Sequence, residues 1–212
     1  MYTLYYMPGA TSMLPHMVLR ELAVPFELRR VDLAKGEHWD PEYLKLNPHG
    51  RVPALVDGDG GVLYESGAIV LHLCDAHPES GLAPPPGSAK RAHMYKWMFY
   101  LATAPQVDFV YMVRPERVTK DPDGGPMVKA ALAERMEGVF DRVAAELGDG
   151  PYLLGDTFSP ADLQLFMLTR WGRNLPRPPR SRPQIARHAE RIAARPAVQA
   201  VIAAEGLQPP IF

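Results

Sequence analysis

Asn47-Pro48-His49-Gly50-Arg51-Val52-Pro53-Ala54-Leu55, followed by Glu65-Ser66-Gly67-Ala68-Ile69, is the stretch that decides the fold of this chain. A Val-Pro step leads into a short apolar strand, and a Gly-rich turn (Asp57-Gly58-Asp59-Gly60-Gly61) follows. A second strand then ends in an acid and a hydroxyl that open a helix. Proline cannot donate to a strand ladder, so it is expected only at an edge or a bend. The sequence does not show whether the Val52–Pro53 bond is cis, a minority form even before proline; if it is, it makes such a bend. That bend would leave the N–H and C=O of Val52 pointing outward, free to pair with an extended peptide. Glu65-Ser66 falls at a helix N-terminus, where free N–H groups and the macrodipole hold a carboxylate. The two pieces read as a socket for a small peptide with a free carboxylate.

The chain has 212 residues and a formal net charge of −1. That is enough for one large domain or two small ones, with no electrostatic reason to expect nucleic acid or an anionic membrane. Arginines do gather late in the chain, at 170, 173, 177, 180, 182, 187, 191 and 195. Prolines at 176, 178, 179 and 183 interrupt them and no aromatics interleave, so they read as a solvated face around a rigid loop. One cysteine, Cys74, excludes an intramolecular disulfide and suits a reducing compartment. No basic leader or long apolar run opens the chain, and no stretch is long enough to span a bilayer. The expectation is a cytoplasmic protein.

Further along, Leu4-Tyr5-Tyr6 reads as a strand closed by Pro8-Gly9. Ser12 is placed as the N-cap of a helix striped by Leu14, Met17, Val18 and Leu22. Phe26, Leu28 and Val31 alternate as a strand, and a short helix falls near 42–46. Strands at 54–56 and 62–64 and a helix from Ser66 to Ala76 complete a β-α-β-α-β-β-α order, which implies a mixed sheet with helices on both faces. Cys74 falls on the apolar side of that helix as an inert thiol. Residues 82–87 (Leu-Ala-Pro-Pro-Pro-Gly) are a linker between a domain at 1–81 and a second at 88–212. The second reads as all helix: one long amphipathic segment from Ser88 to Val113, a helix over 127–147, a buried helix opened by Ser159-Pro160-Ala161-Asp162, and two short helices near 184–194 and 197–204.

At this point the residues resemble the glutathione transferase superfamily, most closely its bacterial beta class. The resemblance rests on Tyr5-Tyr6-Met7-Pro8-Gly9-Ala10-Thr11-Ser12, Asn47 to Leu55, Glu65 to Ile69 and Phe158-Ser159-Pro160-Ala161-Asp162. Ala194-Arg195-Pro196-Ala197-Val198 with Glu205-Gly206-Leu207 adds to it. Each motif is weak alone; four in order and spacing are strong. The resemblance implies an α/β thioredoxin-like N-terminal domain and an all-α C-terminal domain. It also implies a homodimer, glutathione as co-substrate, no metal, and detoxification chemistry. Val52 and Pro53 would pair with the cysteinyl unit by main-chain strand addition. Glu65 and Ser66 would hold the γ-glutamyl end, and Lys35 stands near the family lysine that faces the glycyl carboxylate. Thr103 and Gln106 are assigned to glutathione as well.

The departures limit the chemistry. A beta-class enzyme carries cysteine where this chain has Thr11, asparagine where Phe99 stands and histidine where Gln106 stands. Chemistry through an enzyme thiol at this site is therefore excluded. A free thiol, with a pKa of about 8.5, is only a few per cent thiolate at neutral pH. Two means of raising that fraction survive: hydroxyl donation from Thr11 or Ser12, and the N-terminus of the first helix. Tyr5 or Tyr6 could also donate, although alternation puts them on opposite faces of a strand. An apolar electrophile is expected between the domains, against Tyr6 and against Phe99, Thr103, Gln106, Val107, Val110 and Tyr111 on the long helix; the alternative makes Phe99 and Val110 bundle core. The seven histidines show no metal-ligand spacing, and His16 reads as structural. The leading function is glutathione conjugation to a small hydrophobic electrophile. The alternatives are a glutathione-dependent isomerase or peroxidase, and a binding or regulatory protein that keeps the peptide site without catalysis.

Overall fold

The computed structural model describes all 212 residues. They divide into two compact units, Met1–Pro85 with Ala194–Gln208 and Pro86–Ala193 with Pro209–Phe212. The sequence division at 82–87 left everything beyond it in one helical domain. The structure instead returns residues 194–208 to the first unit, because the helix they form has its packing partner there.

The first unit is built on a four-stranded sheet in the order β2-β1-β3-β4. β1 (Tyr2–Tyr6) runs parallel to β2 (Phe26–Arg30) and antiparallel to β3 (Ala54–Val56), which pairs antiparallel with β4 (Val62–Tyr64). A parallel pair needs a crossover, supplied by α1 (Met13–Glu21). The apolar stripe of α1 is sealed: Leu14, Met17 and Val18 have no exposed surface. α1 packs against α3 (Ser66–Ala76) and against α9 (Pro196–Ala204). Arg195 clamps α9 to α1 by gripping both oxygens of Glu21, at 2.6 and 2.8 Å. The short α2 (Pro41–Leu46) starts on Asp40, whose carboxylate accepts the Glu42 N–H at 2.8 Å.

The second unit is a helical bundle around α7 (Pro160–Trp171), in which every residue from Pro160 to Arg170 is buried. Its N-terminus carries the Phe158–Asp162 motif. The buried Asp162 carboxylate accepts the N–H and hydroxyl of Ser159, the Leu153 N–H and His188 Nε2, the last from α8 (Pro183–Ala193). Pro160 occupies the first helical position, where no N–H is missed. That motif is scaffold. α6 (Gly125–Leu147) packs on α8 and on α5 (Pro105–Val113).

Two expectations are corrected here. The long helix over 88–113 is two helices, α4 (Ala89–Thr103) and α5, parted at Ala104. Pro105 has no N–H for the ladder and its ring clashes with the preceding turn, so it opens a new helix. The arginine run is a solvated face only in part: Arg177, Arg180, Arg187 and Arg191 are exposed. Arg170 and Arg182 are buried, Arg182 bonding Asp141 at 2.7 Å and the Glu137 carbonyl at 2.9 Å. Arg191 reaches the Pro151 carbonyl at 3.1 Å. Arg170, on the Pro210 and Ile211 carbonyls, and Arg191 fasten loops whose carbonyls lack helix or sheet partners, whereas Arg182 grips α6.

Candidate functional site

The 47–53 loop is held from beneath. Tyr43 on α2 and the Asn47 amide both donate to the Arg51 carbonyl, at 2.6 and 2.7 Å, while Asn47 Oδ1 accepts the His49 N–H at 3.1 Å. Burial, then the neighbouring Tyr5, pushes the Tyr43 phenol well above its ordinary pKa, so it stays a donor. Gly50 adopts φ +57° beneath the Trp39 ring; a Cβ there would meet that ring at 2.5 Å. Only glycine fits both demands. The loop ends in a cis Val52–Pro53 bond. The Val52 N–H makes no hydrogen bond. Its carbonyl is not free, as the sequence had suggested: the Thr11 hydroxyl donates to it at 2.8 Å.

Thr11 and Ser12 precede α1 and differ sharply. Ser12 is fully buried; its hydroxyl accepts the Met7 N–H at 3.1 Å and donates to the Met7 carbonyl at 3.0 Å. It stands at the N-cap position but makes no capping bond, because the loop before it takes both functions of the hydroxyl. Thr11 is partly exposed, beside the Val52 edge. The backbone N–H groups of both residues are unclaimed. The loop leading to them is tied at Gly9, whose N–H donates to Glu205 at 2.7 Å. Glu205, at the end of α9, also takes Nδ1 of the buried His16 at 2.8 Å.

At the start of α3, Glu65 sits at φ +73°, a conformation that strains a side-chain-bearing residue. Its carboxylate is exposed and caps nothing. Ser66 is all but buried, yet its hydroxyl makes no protein hydrogen bond. Lys35 is exposed on the loop after β2, 3.9 Å from Asp32. Tyr6 lies edge-on to His16, 6.1 Å between ring centres.

In the second unit the candidates fall on both sides of the Ala104 break. Phe99 is 61 % exposed on α4, which rules out the core reading. Thr103, at the last position of α4, turns its hydroxyl back to the Phe99 carbonyl at 2.8 Å. Gln106, Val107, Val110 and Tyr111 lie partly exposed on α5. The opposite side of α5 buries Asp108 and Phe109. Burial raises the Asp108 carboxyl above its usual range, opposed by the Arg135 guanidinium 2.9 Å away. A cavity of about 490 Å³ near the α5–α6 turn, lined by Glu116, Lys120 and Asp121 among others, contains none of these candidates. No three His, Cys, Asp or Glu side chains converge as metal ligands would.

Residues 4–81 match the family model of the glutathione S-transferase N-terminal domain, and residues 89–196 that of its C-terminal domain. The chain belongs to the glutathione S-transferase family. It is 35 % identical to glutathione S-transferase GstA of Escherichia coli O157:H7, over 97 % of this chain and 99 % of that one. It is 38 % identical to glutathione S-transferase 3 of Zea mays, over 91 % of this chain and 89 % of the relative. Among solved structures, a Sulfitobacter glutathione transferase homolog with bound glutathione is 33 % identical, with a TM-score of 0.89 over 98 % of this chain and 99 % of that one.

The structure brings the candidates Thr11 and Val52 together, and it shows supports of the candidate positions that sequence reasoning missed. Tyr43 and Gln164 went unnoticed, and Asn47 and Glu205 entered only inside quoted motifs. Asn47 was the one with a local signal: an Asx residue two positions before a φ > 0 glycine's predecessor is a turn former. Glu205 bonds residues nearly the whole chain away, a pairing no local pattern carries.

Proposed function

We propose that this chain conjugates the thiol of glutathione to small hydrophobic electrophiles, with threonine and backbone donors in place of an enzyme cysteine. One observation carries the reading: the Thr11 hydroxyl stands 2.8 Å from the Val52 carbonyl, against the strand edge where a cysteinyl residue would dock. The unclaimed Val52 N–H receives the cysteinyl carbonyl, as in strand addition. The first N–H groups of α3 and the Ser66 hydroxyl take the γ-glutamyl carboxylate, and Glu65 takes the adjacent ammonium. Lys35 faces the glycyl carboxylate.

The incoming cysteinyl N–H competes for the Val52 carbonyl and releases the Thr11 hydroxyl to the sulfur. The N–H groups of Thr11 and Ser12 add donors at the positive end of α1, and the thiol proton leaves to water. The Ser12 hydroxyl, already used twice, supports the loop only. The thiolate then attacks an electrophilic carbon, forming a C–S bond as halide departs or an alkene π bond opens. The apolar candidates for the electrophile are Phe99, Val107, Val110 and Tyr111 of the second unit and Tyr6 of the first, each taken by itself, with Thr103 and Gln106 as polar candidates. We assign the chain as a homodimer in a reducing compartment such as the cytoplasm.

A binding-only protein is the second reading, favoured by both hydroxyl protons of Thr11 and Ser12 being engaged within the protein. Titrating the thiolate absorbance of bound glutathione separates the two. Thr11→Val should raise the bound thiol's pKa by about one unit, the worth of one hydrogen bond, and slow conjugation of a chloronitrobenzene about tenfold. Ser12→Ala should leave that pKa unchanged. Retention on glutathione resin with no turnover of any electrophile would establish the second reading instead.

A further inference from the structure

Gln164 lies in the middle of α7, in a run that is otherwise almost wholly apolar, and only 1 % of its surface is exposed. An amide placed there costs free energy unless its hydrogen bonds are made. Gln164 makes one: its Nε2 donates to Gln106 Oε1, on the neighbouring α5, at 3.4 Å. Its own Oε1 is sealed from solvent and has no partner. This orientation is the cheaper one. Turning the Gln164 amide over would bury an –NH₂ with two donors where now one acceptor is unpaired.

The consequence falls on Gln106. With its oxygen taken from behind, the group it turns outward is its Nε2, which has no protein partner and is not sealed from solvent. The surroundings fix the helix that carries it, since Asp108 and Phe109 bury the other side of α5 and Phe109 lies edge-on to Trp171, 5.9 Å between ring centres. We infer that Gln164 is a positioning residue that locks the Gln106 amide with its N–H outward, so that this face of α5 selects electrophiles bearing a hydrogen-bond acceptor oxygen, such as nitroaromatics or α,β-unsaturated carbonyls. A donor beside such an oxygen also meets the negative charge that builds there when a thiolate adds to the ring or the enone.

This inference rests on the electrophile site proposed above, and the test is built to separate the two. The probes are S-(4-nitrobenzyl)glutathione, which carries an acceptor, and S-hexylglutathione, which carries none beyond the peptide. Their dissociation constants are measured by calorimetry on the full chain and on Gln106→Leu, Gln106→Glu, Gln164→Leu and the Leu/Leu double variant. Gln106→Glu keeps the acceptor for Gln164 and loses the donor. Gln164→Leu fills the position with an apolar group and should fold.

The nitrobenzyl conjugate should bind about fivefold to tenfold more weakly to every variant, the size of one neutral hydrogen bond. The hexyl conjugate should be unaffected, and the double variant should be no worse than Gln106→Leu alone, since Gln164 acts through Gln106. With a chloronitrobenzene substrate, Gln164→Leu should lower kcat while the KM for glutathione holds. Equal weakening of both conjugates, or no weakening in Gln164→Leu, overturns the inference and leaves the transferase reading standing. Failure of the unsubstituted chain to bind either conjugate overturns both.

Discussion

Two helices of this chain begin on a serine and an acid, and they use them in opposite ways. At α7, Ser159 and Asp162 are fully buried, and the carboxylate satisfies donors from Leu153, Ser159 and His188. At α3, Glu65 is held at φ +73° with its carboxylate exposed, and the Ser66 hydroxyl touches no protein partner. The same residue types yield a closed scaffold in one place and an open socket in the other. Residue identity does not separate the two cases; where the backbone N–H groups find their acceptors does. A helix start that leaves its donors open and accepts a strained backbone is shaped for something outside the protein.

The comparison breaks most visibly at α7. Asp162→Ala should strip partners from four buried donors at once and cost about 3–5 kcal/mol, read from denaturant unfolding. A loss under about 1 kcal/mol would show that the carboxylate is no scaffold. Ser12→Ala comes next. It leaves the Met7 N–H unpaired in a part-buried loop, while the Met7 carbonyl keeps the Ala10 N–H, for about 1–2 kcal/mol, with glutathione affinity falling less than stability does.

Glu65→Gly should go the other way. Removing the Cβ relieves the positive φ, and after the entropy of a new glycine the chain gains about 1 kcal/mol. Glutathione binding should fall tenfold or more in the same variant, since a charged partner is lost. A variant both less stable and still binding would make Glu65 scaffold after all. The smallest effect is electrostatic and lies at Asp141, whose carboxyl is held below the usual range chiefly by its hydrogen bond from Arg182, with Arg177 adding to it. A lowered folded pKa gives a stabilisation that is complete above the unfolded value, about 3.9, and is lost as the pH falls through the folded value. Asp141→Asn should therefore destabilise slightly at pH 7 and make no difference in strong acid.

Much of the sheet was legible because its signals are local. Alternation gave β2, and the Gly-rich turn gave the β3–β4 hairpin. What failed was non-local or depended on competition. Ser12 reads as a cap by residue type, but a loop five residues back claims its hydroxyl. The partner of the Gln106 oxygen comes from α7, 58 residues on, and has no signal in the α5 sequence. Pro105 marks the α4–α5 break, but the apolar spacing runs on across it and predicts one helix. Arg170 and Arg182 depart from the solvated face because composition cannot say which carbonyl or carboxylate elsewhere in the fold needs a donor. Of the candidate site, Val52, Glu65 and Ser66 were visible as motif positions, while the supports at Tyr43 and Glu205 arise only from folding.

The bond between Glu205 and Gly9 has a consequence for synthesis of the chain. Domains emerging from a ribosome tend to fold in order, N-terminal first. Here the first unit cannot finish in its turn: the α9 segment that ties down Gly9 and partners His16 is translated only after the entire helical bundle. The nascent first unit must wait with a buried histidine unmatched and the Thr11 loop untied, and its binding edge is completed among the last events of translation. A glutathione-competent state should thus arise late and all at once, never from the N-terminal segment alone.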